Sequence, residues 1–173
     1  MKKVTQEIQT QIEFTRVYEV LGAQEPQWIV LETIMPRSSL PASIILKTDV
    51  EGISVFADPV VEKVFFNLLD NSIRHGQFVS EIIVSSIITD NNLTVIWKDN
   101  GVGIAKEDKE RIFERGFGKN TGLGMFLARE ILSLTDISIQ ETGMYGSGAK
   151  FEIKVPKGLF RNTNSGSEKG IST

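Results

Sequence analysis

DNGVGIAKEDKERIFERGFGKNTGLGMF, residues 99–126, decides how the rest of this sequence is read. Glycines stand at 101, 103, 116, 118, 122 and 124, between two apolar segments. Glycines so placed let the backbone turn through positive φ and let a ligand approach the main chain, as phosphate-binding loops require. Asn100-Gly101 alone is also a hairpin signal. The segment after Gly103 is not a strand, however. AKEDKERIFERG reads as a short charged helix with Ile112 and Phe113 as its apolar side, so the turn does not reverse a sheet.

The 173 residues, 40% hydrophobic and 24% charged, suit one globular domain with a short appendage. No apolar run approaches the roughly 20 residues that span a bilayer, and the N-terminus lacks the apolar core of a signal peptide. A cytoplasmic setting without membrane contact is the expectation. There is no cysteine, which excludes disulfides, thiolate nucleophiles and cysteine metal sites. A net charge of -3 offers no electrostatic reason to expect nucleic acid. The one histidine, His75, excludes multi-histidine metal sites.

Outward from the opening stretch, residues 4–21 place Val4, Ile8, Ile12, Thr15, Tyr18 and Leu21 at helical spacing, with Gly22 as a cap. That stripe packs either on the domain's own core or in a helical bundle shared with another segment or chain. Residues 23–42, with Pro26, Pro36 and Pro41, read as a connector in which Trp28, Leu31 and Ile34 offer one anchoring turn. Strands are expected at Ser43–Thr48 and Ile53–Phe56, joined by the acidic turn Asp49–Gly52. In ADPVVEKVFFNLLDNSIRHG, Asp58 caps a helix, Pro59 opens it and Gly76 closes it. Val61, Val64, Phe65, Leu68 and Ser72 or Ile73 form its core face. Lys63, Asn67, Asn71, Arg74 and His75 form a second stripe, and two asparagines in mid-helix, poor helix formers, suggest a ligand.

Glu81–Thr89 and Leu93–Lys98 flank Asp90-Asn91-Asn92 as a β-hairpin that delivers the chain to Asp99. LGMFLAREILSLT is a buried helix. Ile137–Glu141 and Ala149–Val155 are strands, the second following the glycine turn 146–148. Residues 158–173 read as a disordered tail.

The order NLLDNSIRH, DNGVGI, IFERGF, GLGMFLAREI, GSGAKFEI resembles the N, G and F boxes of the ATP-binding catalytic domain of sensor histidine kinases, related to DNA gyrase and MutL. It covers residues 58–156. The resemblance implies a two-layer α/β sandwich of the Bergerat type, with a mixed sheet covered on one face by helices, preceded here by an N-terminal helix. It implies ATP and Mg²⁺ as cofactors. Asp99 would accept a hydrogen bond from the adenine amino group, and Gly101 and Gly103 would keep the backbone clear of the purine. Asn71 would be a direct Mg²⁺ ligand. Gly122 and Gly124, at a helix N-terminus, would offer N–H groups to the phosphates. Asn67, Arg74, His75 and Lys119 are candidates for phosphate contact, and Ile104, Leu123, Met125 and Ala149 complete the implied nucleotide site. Ala105–Thr121 would be a mobile lid.

The hydrolysing members of the superfamily, and its anti-sigma-factor and mitochondrial kinases, resemble one another in carrying a glutamate base where this chain has Asn67. That departure favours phosphotransfer to a histidine over hydrolysis. The remaining alternatives are a nucleotide-gated interaction module and a slow gyrase-type ATPase. His75 is a poor acceptor, since it is followed by Gly76 rather than an acidic residue. The resemblance therefore implies an acceptor histidine in a helical hairpin whose second helix is residues 1–22 and whose first helix is not in this chain, with a homodimer formed through that hairpin. It further implies a response regulator downstream.

Overall fold

The computed structural model describes residues 2–118 and 122–166. Among the described residues, eight strands form two sheets. The larger has five strands in the order β2-β4-β5-β7-β6, namely Ile45–Asp49, Glu81–Thr89, Asn92–Asp99, Lys150–Val155 and Ser138–Glu141. Its one parallel pairing is β2 with β4; the others are antiparallel. Helices α2 (Glu62–His75) and α3 (Gly124–Ser133) cover one face. This is the mixed two-layer α/β sandwich expected, with α1 (Lys2–Val20) before it.

The hairpin β4–β5 organises the sheet. Thr89 pairs with Asn92, so Asp90 and Asn91 alone make the turn, both at positive φ (51° and 66°). That geometry matches a two-residue turn whose twist suits the strands, and Asp and Asn tolerate it better than other side chains. Along β5 the period of two turns Leu93, Val95 and Trp97 into the core, and Asp99 is the next inward position, 2% exposed. A carboxylate is thereby carried to the edge of the core.

α2 begins as expected. Asp58 Oδ1 accepts from Val60 N–H at 2.9 Å, a 3-10 turn Pro59–Val61 leads in, and Gly76 N–H closes on Ser72 O at 3.0 Å. Asp58 Oδ2 also accepts from Gly22 N–H at 3.2 Å, which ties the end of α1 to the start of α2. Val64, Phe65, Leu68, Leu69 and Ser72 are buried, whereas Ile73 is exposed.

Three expectations are corrected. The strands on either side of Asp49–Gly52 are present but enter different sheets: β3 (Ile53–Ala57) belongs to a separate three-stranded sheet, β1-β3-β8. Its β1, Gln27–Val30, lies in the expected connector, and β8, Phe160–Asn162, lies in the expected tail. Both pair antiparallel with β3 because its alternating Ile53, Val55 and Ala57 are buried and its two edges need partners. Residues 167–173 of that tail lie outside the described residues. The charged helix at 105–114 is instead two 3-10 turns, Lys106–Asp108 and Arg111–Phe113. A helix this short is marginal, and tertiary anchors decide its path.

On α1 the packed face is Phe14, Val17 and Leu21, with Phe14 against Phe126 at 6.3 Å between ring centroids. Most of the stripe read from the sequence faces outward, with Val4, Ile8, Ile12 and Tyr18 about half exposed. No helix among the described residues is long and apolar enough to cross a membrane.

Asn91→Gly should raise unfolding stability by about 0.5–1 kcal/mol in urea titration, because glycine occupies positive φ without strain. An unchanged or lowered midpoint would show that the turn is not of this type.

Candidate nucleotide-binding site

Asp99 is held by three donors drawn from three segments. Its Oδ1 accepts Gly101 N–H and Ala149 N–H, each at 3.0 Å, and its Oδ2 accepts the Ser72 hydroxyl at 2.7 Å. Trp97 Nε1–H donates to Ser72 Oγ at 3.2 Å, which commits the hydroxyl hydrogen to Asp99. A carboxylate has about four lone-pair sites, so the three donors leave room for one more. Ser72 escaped the sequence reading as a site residue. Its only signal was a hydroxyl on the core face of α2.

The glycines around Asp99 answer to space more than to flexibility. A Cβ at Gly101 would stand 2.5 Å from Gly76 O, and one at Gly148, already at φ +96°, would stand 1.9 Å from Asp99 O. The loops at 76–80, 99–104 and 142–149 therefore touch backbone to backbone. Val102 N–H bonds Gly76 O at 3.1 Å, and Gly146 N–H bonds Val102 O at 2.6 Å. Asn100 does not turn a hairpin. Its Oδ1 accepts Ser80 N–H (2.9 Å) and Glu81 N–H (3.1 Å), fastening the loop to the start of β4.

A cleft of about 670 Å³ opens in front of this floor. Asn67, Asn71, Arg74 and His75 line it from α2, Gly103 and Ile104 from the loop after β5, and Gly122, Leu123, Gly124 and Met125 from the start of α3. Asp99, Gly101 and Ala149 are not among the residues that line it. Lys119 lies outside the described residues. The sequence reading missed Tyr145 of the β6–β7 loop and Lys3, Gln6, Glu7 and Thr10 of α1, which also line the cleft. Nothing local to α1 marks it as neighbouring this site.

Within the cleft, Asn67 Nδ2 donates to Gly124 O at 2.9 Å and so braces α2 against the first turn of α3. That turn has N–H groups without intrahelical acceptors, and it opens toward the cleft. Arg74 Nε donates to Asp70 Oδ1 at 2.7 Å one turn away. Among the described residues no group of three acidic or histidine side chains could hold a metal alone. A cation here would be shared with ligand phosphates, for which the neutral amide of Asn71 is a suitable oxygen donor.

The segment after Ile104 is anchored rather than loose. Phe113 is 3% exposed and edge-on to Phe151, and the Arg129 guanidinium lies 3.8 Å from the Phe113 ring centroid. Gly116 N–H bonds Gly122 O at 3.1 Å and closes the neck of the short loop between them. Phe113 thus fixes the first part of the segment expected as a lid, Ala105–Thr121, to the core, and residues 119–121 of that segment lie outside the described residues.

Ser72→Ala should lower unfolding stability by about 1–3 kcal/mol, since it leaves the buried Trp97 N–H without its acceptor and Asp99 without a donor. Urea denaturation measures this; a loss below about 0.5 kcal/mol would show that the network is not rigid.

Residues 58–159 match the family model described as histidine kinase-, DNA gyrase B- and HSP90-like ATPase. The chain is 30% identical over 125 residues to the histidine protein kinase SaeS of Staphylococcus epidermidis, covering 66% of this chain and 35% of that protein. It is 32% identical over 98 residues to the sensor histidine kinase GraS of Staphylococcus haemolyticus, covering 52% and 28%. The chain thus spans about a third of the length of these curated relatives. Among solved structures, a mycobacterial sensor histidine kinase, MprB, superposes with a TM-score of 0.65 at 19% identity, covering 76% of this chain and 96% of that one. The catalytic domain of the histidine kinase ThkA gives 0.64 at 24% identity, covering 78% and 99%. With its sandwich, its glycine-lined cleft and a family match over residues 58–159, this chain belongs to the histidine kinase-, DNA gyrase B- and HSP90-like ATPase family.

Proposed function

We propose that the chain is the ATP-binding catalytic part of a sensor histidine kinase and transfers the γ-phosphoryl group of Mg·ATP to a histidine on a separate segment. The buried Asp99 carboxylate carries the nucleotide reading. It can only accept, and its remaining lone-pair site suits the exocyclic amino group of adenine. The phosphates then extend toward the first turn of α3, where Gly122 and Gly124 leave the main chain accessible. Asn71, with Arg74 and Lys119, would hold the phosphate end; bound Mg²⁺ would neutralise the charge that develops there.

Transfer is favoured over hydrolysis by Asn67. Its amide is engaged with Gly124 O and offers no base to a water. A neutral imidazole already carries the lone pair that attacks phosphorus, so positioning suffices. His75 lines the cleft itself and is a poor acceptor. The outward row of Val4, Ile8 and Ile12 suits the second helix of an acceptor hairpin in a homodimeric kinase. The response regulator downstream belongs to the same reading, as does a cytoplasmic location.

Mixing the chain with a folded hairpin carrying a histidine followed by an acidic residue, with labelled ATP, should give acid-labile phosphohistidine. Nucleotide binding without transfer would favour an interaction module. Steady hydrolysis by the chain alone, lost on changing Asn67, would favour the ATPase. Mg·ATP at a hundredfold excess over Kd should stabilise the chain by about 2.7 kcal/mol, read as a rise in Tm. Asn71→Ala should remove most of the Mg²⁺ dependence of that rise, whereas an unchanged dependence would refute the ligand assignment.

A further inference from the structure

The most buried ion pair among the described residues lies behind the cleft rather than in it. Glu141, at the end of β6, has a side chain with no exposed surface, and Lys109, between the two 3-10 turns, has one 22% exposed. Glu141 Oε1 accepts Gly143 N–H and Lys150 N–H, each at 3.0 Å, while its Oε2 accepts the Lys109 ammonium. The ammonium also donates to Gly143 O at 2.5 Å. One carboxylate therefore grips both ends of the β6–β7 loop, and one lysine fastens that loop to the root of the lid.

The loop so held reaches the nucleotide cleft at two points. Gly148 and Ala149 abut the Asp99 backbone and side chain. Tyr145, 67% exposed, lines the cleft, while the glycine beside it bonds Val102 O. A buried ion pair is weak evidence for stability, because apolar replacements of similar volume often serve as well. Its directional contacts, by contrast, specify where a loop sits.

We propose that Lys109 and Glu141 are positioning residues that hold the β6–β7 loop so that Tyr145 forms a wall of the cleft against the purine or ribose of the bound nucleotide. This inference rests on the nucleotide-binding reading above. The aromatic face supplies apolar contact to a flat ring and the phenol a polar tip. Asp99 chooses the base edge, and Tyr145 limits how far the base can swing from it.

The test is a double-mutant cycle on ATP affinity, measured by calorimetry well below Tm. Tyr145→Ala should raise Kd by about threefold to tenfold, with Tyr145→Phe retaining most of the affinity. Lys109→Met should raise Kd by about fivefold or more, and the two changes together should be no worse than Lys109→Met alone, because one acts through the other. Lys109→Arg should restore most of the binding. Additive effects, or Kd unchanged in both single variants, would overturn the inference. Should Lys109→Met not fold, Glu141→Gln, which keeps an oxygen for both N–H groups, takes its place; failure of both to fold would show that the pair serves the fold rather than the site. Absence of ATP binding in the unaltered chain would instead refute the nucleotide reading itself, and the two failures are thus distinguishable.

Discussion

A carboxylate at 2% exposure is the constraint around which this domain is assembled. Burying a charge is unfavourable unless it is hydrogen-bonded, and Asp99 takes its donors from α2, from the loop after β5 and from the residue before β7. Those three segments are held within hydrogen-bond distance of one side chain. The glycines are a consequence: backbones this close leave no room for Cβ atoms at 101 or 148.

The front of the site is built in the same way. Asn67 commits its amide to bracing α2 against α3, which holds the first turn of α3 at the cleft. The lid root is fixed by Phe113 in the core, Arg129 over its ring and Lys109 on Glu141. Gly116 N–H on Gly122 O ties the end of that anchored segment to the residues that precede α3. A floor fixed from several segments suits phosphoryl transfer, where positioning supplies most of the rate.

Much of this was legible in the sequence wherever the signal was local. The Asp58-Pro59 start and Gly76 end of α2, the turn between β4 and β5, and the inward row of β5 each depend on a few adjacent residues. On α2 two asparagines in mid-helix marked the stripe that lines the cleft, whereas the residues at the start of α3 came from the motif resemblance. What escaped was non-local. β1 and β8 are short and unremarkable until β3 lies between them, and β2 and β3 look like a hairpin because nothing in Asp49–Gly52 says they enter different sheets. Ser72 and Glu141 are single polar residues in apolar periods, whose meaning depends on Asp99 and Lys109 being placed opposite them. Which face of α1 packs could not be read either, since apolar residues stand on two separate faces, Phe14 and Val17 on one and Val4, Ile8 and Ile12 on the other.

Selection of adenine by Asp99 is tested most directly by calorimetric titration of the chain with Mg·ATP and with Mg·ITP, whose purine carries a carbonyl in place of the exocyclic amino group. A buried carboxylate facing that carbonyl loses a charge-assisted hydrogen bond, so ATP should bind about tenfold to a hundredfold more tightly. Equal affinity for the two nucleotides would show that Asp99 does not read the base.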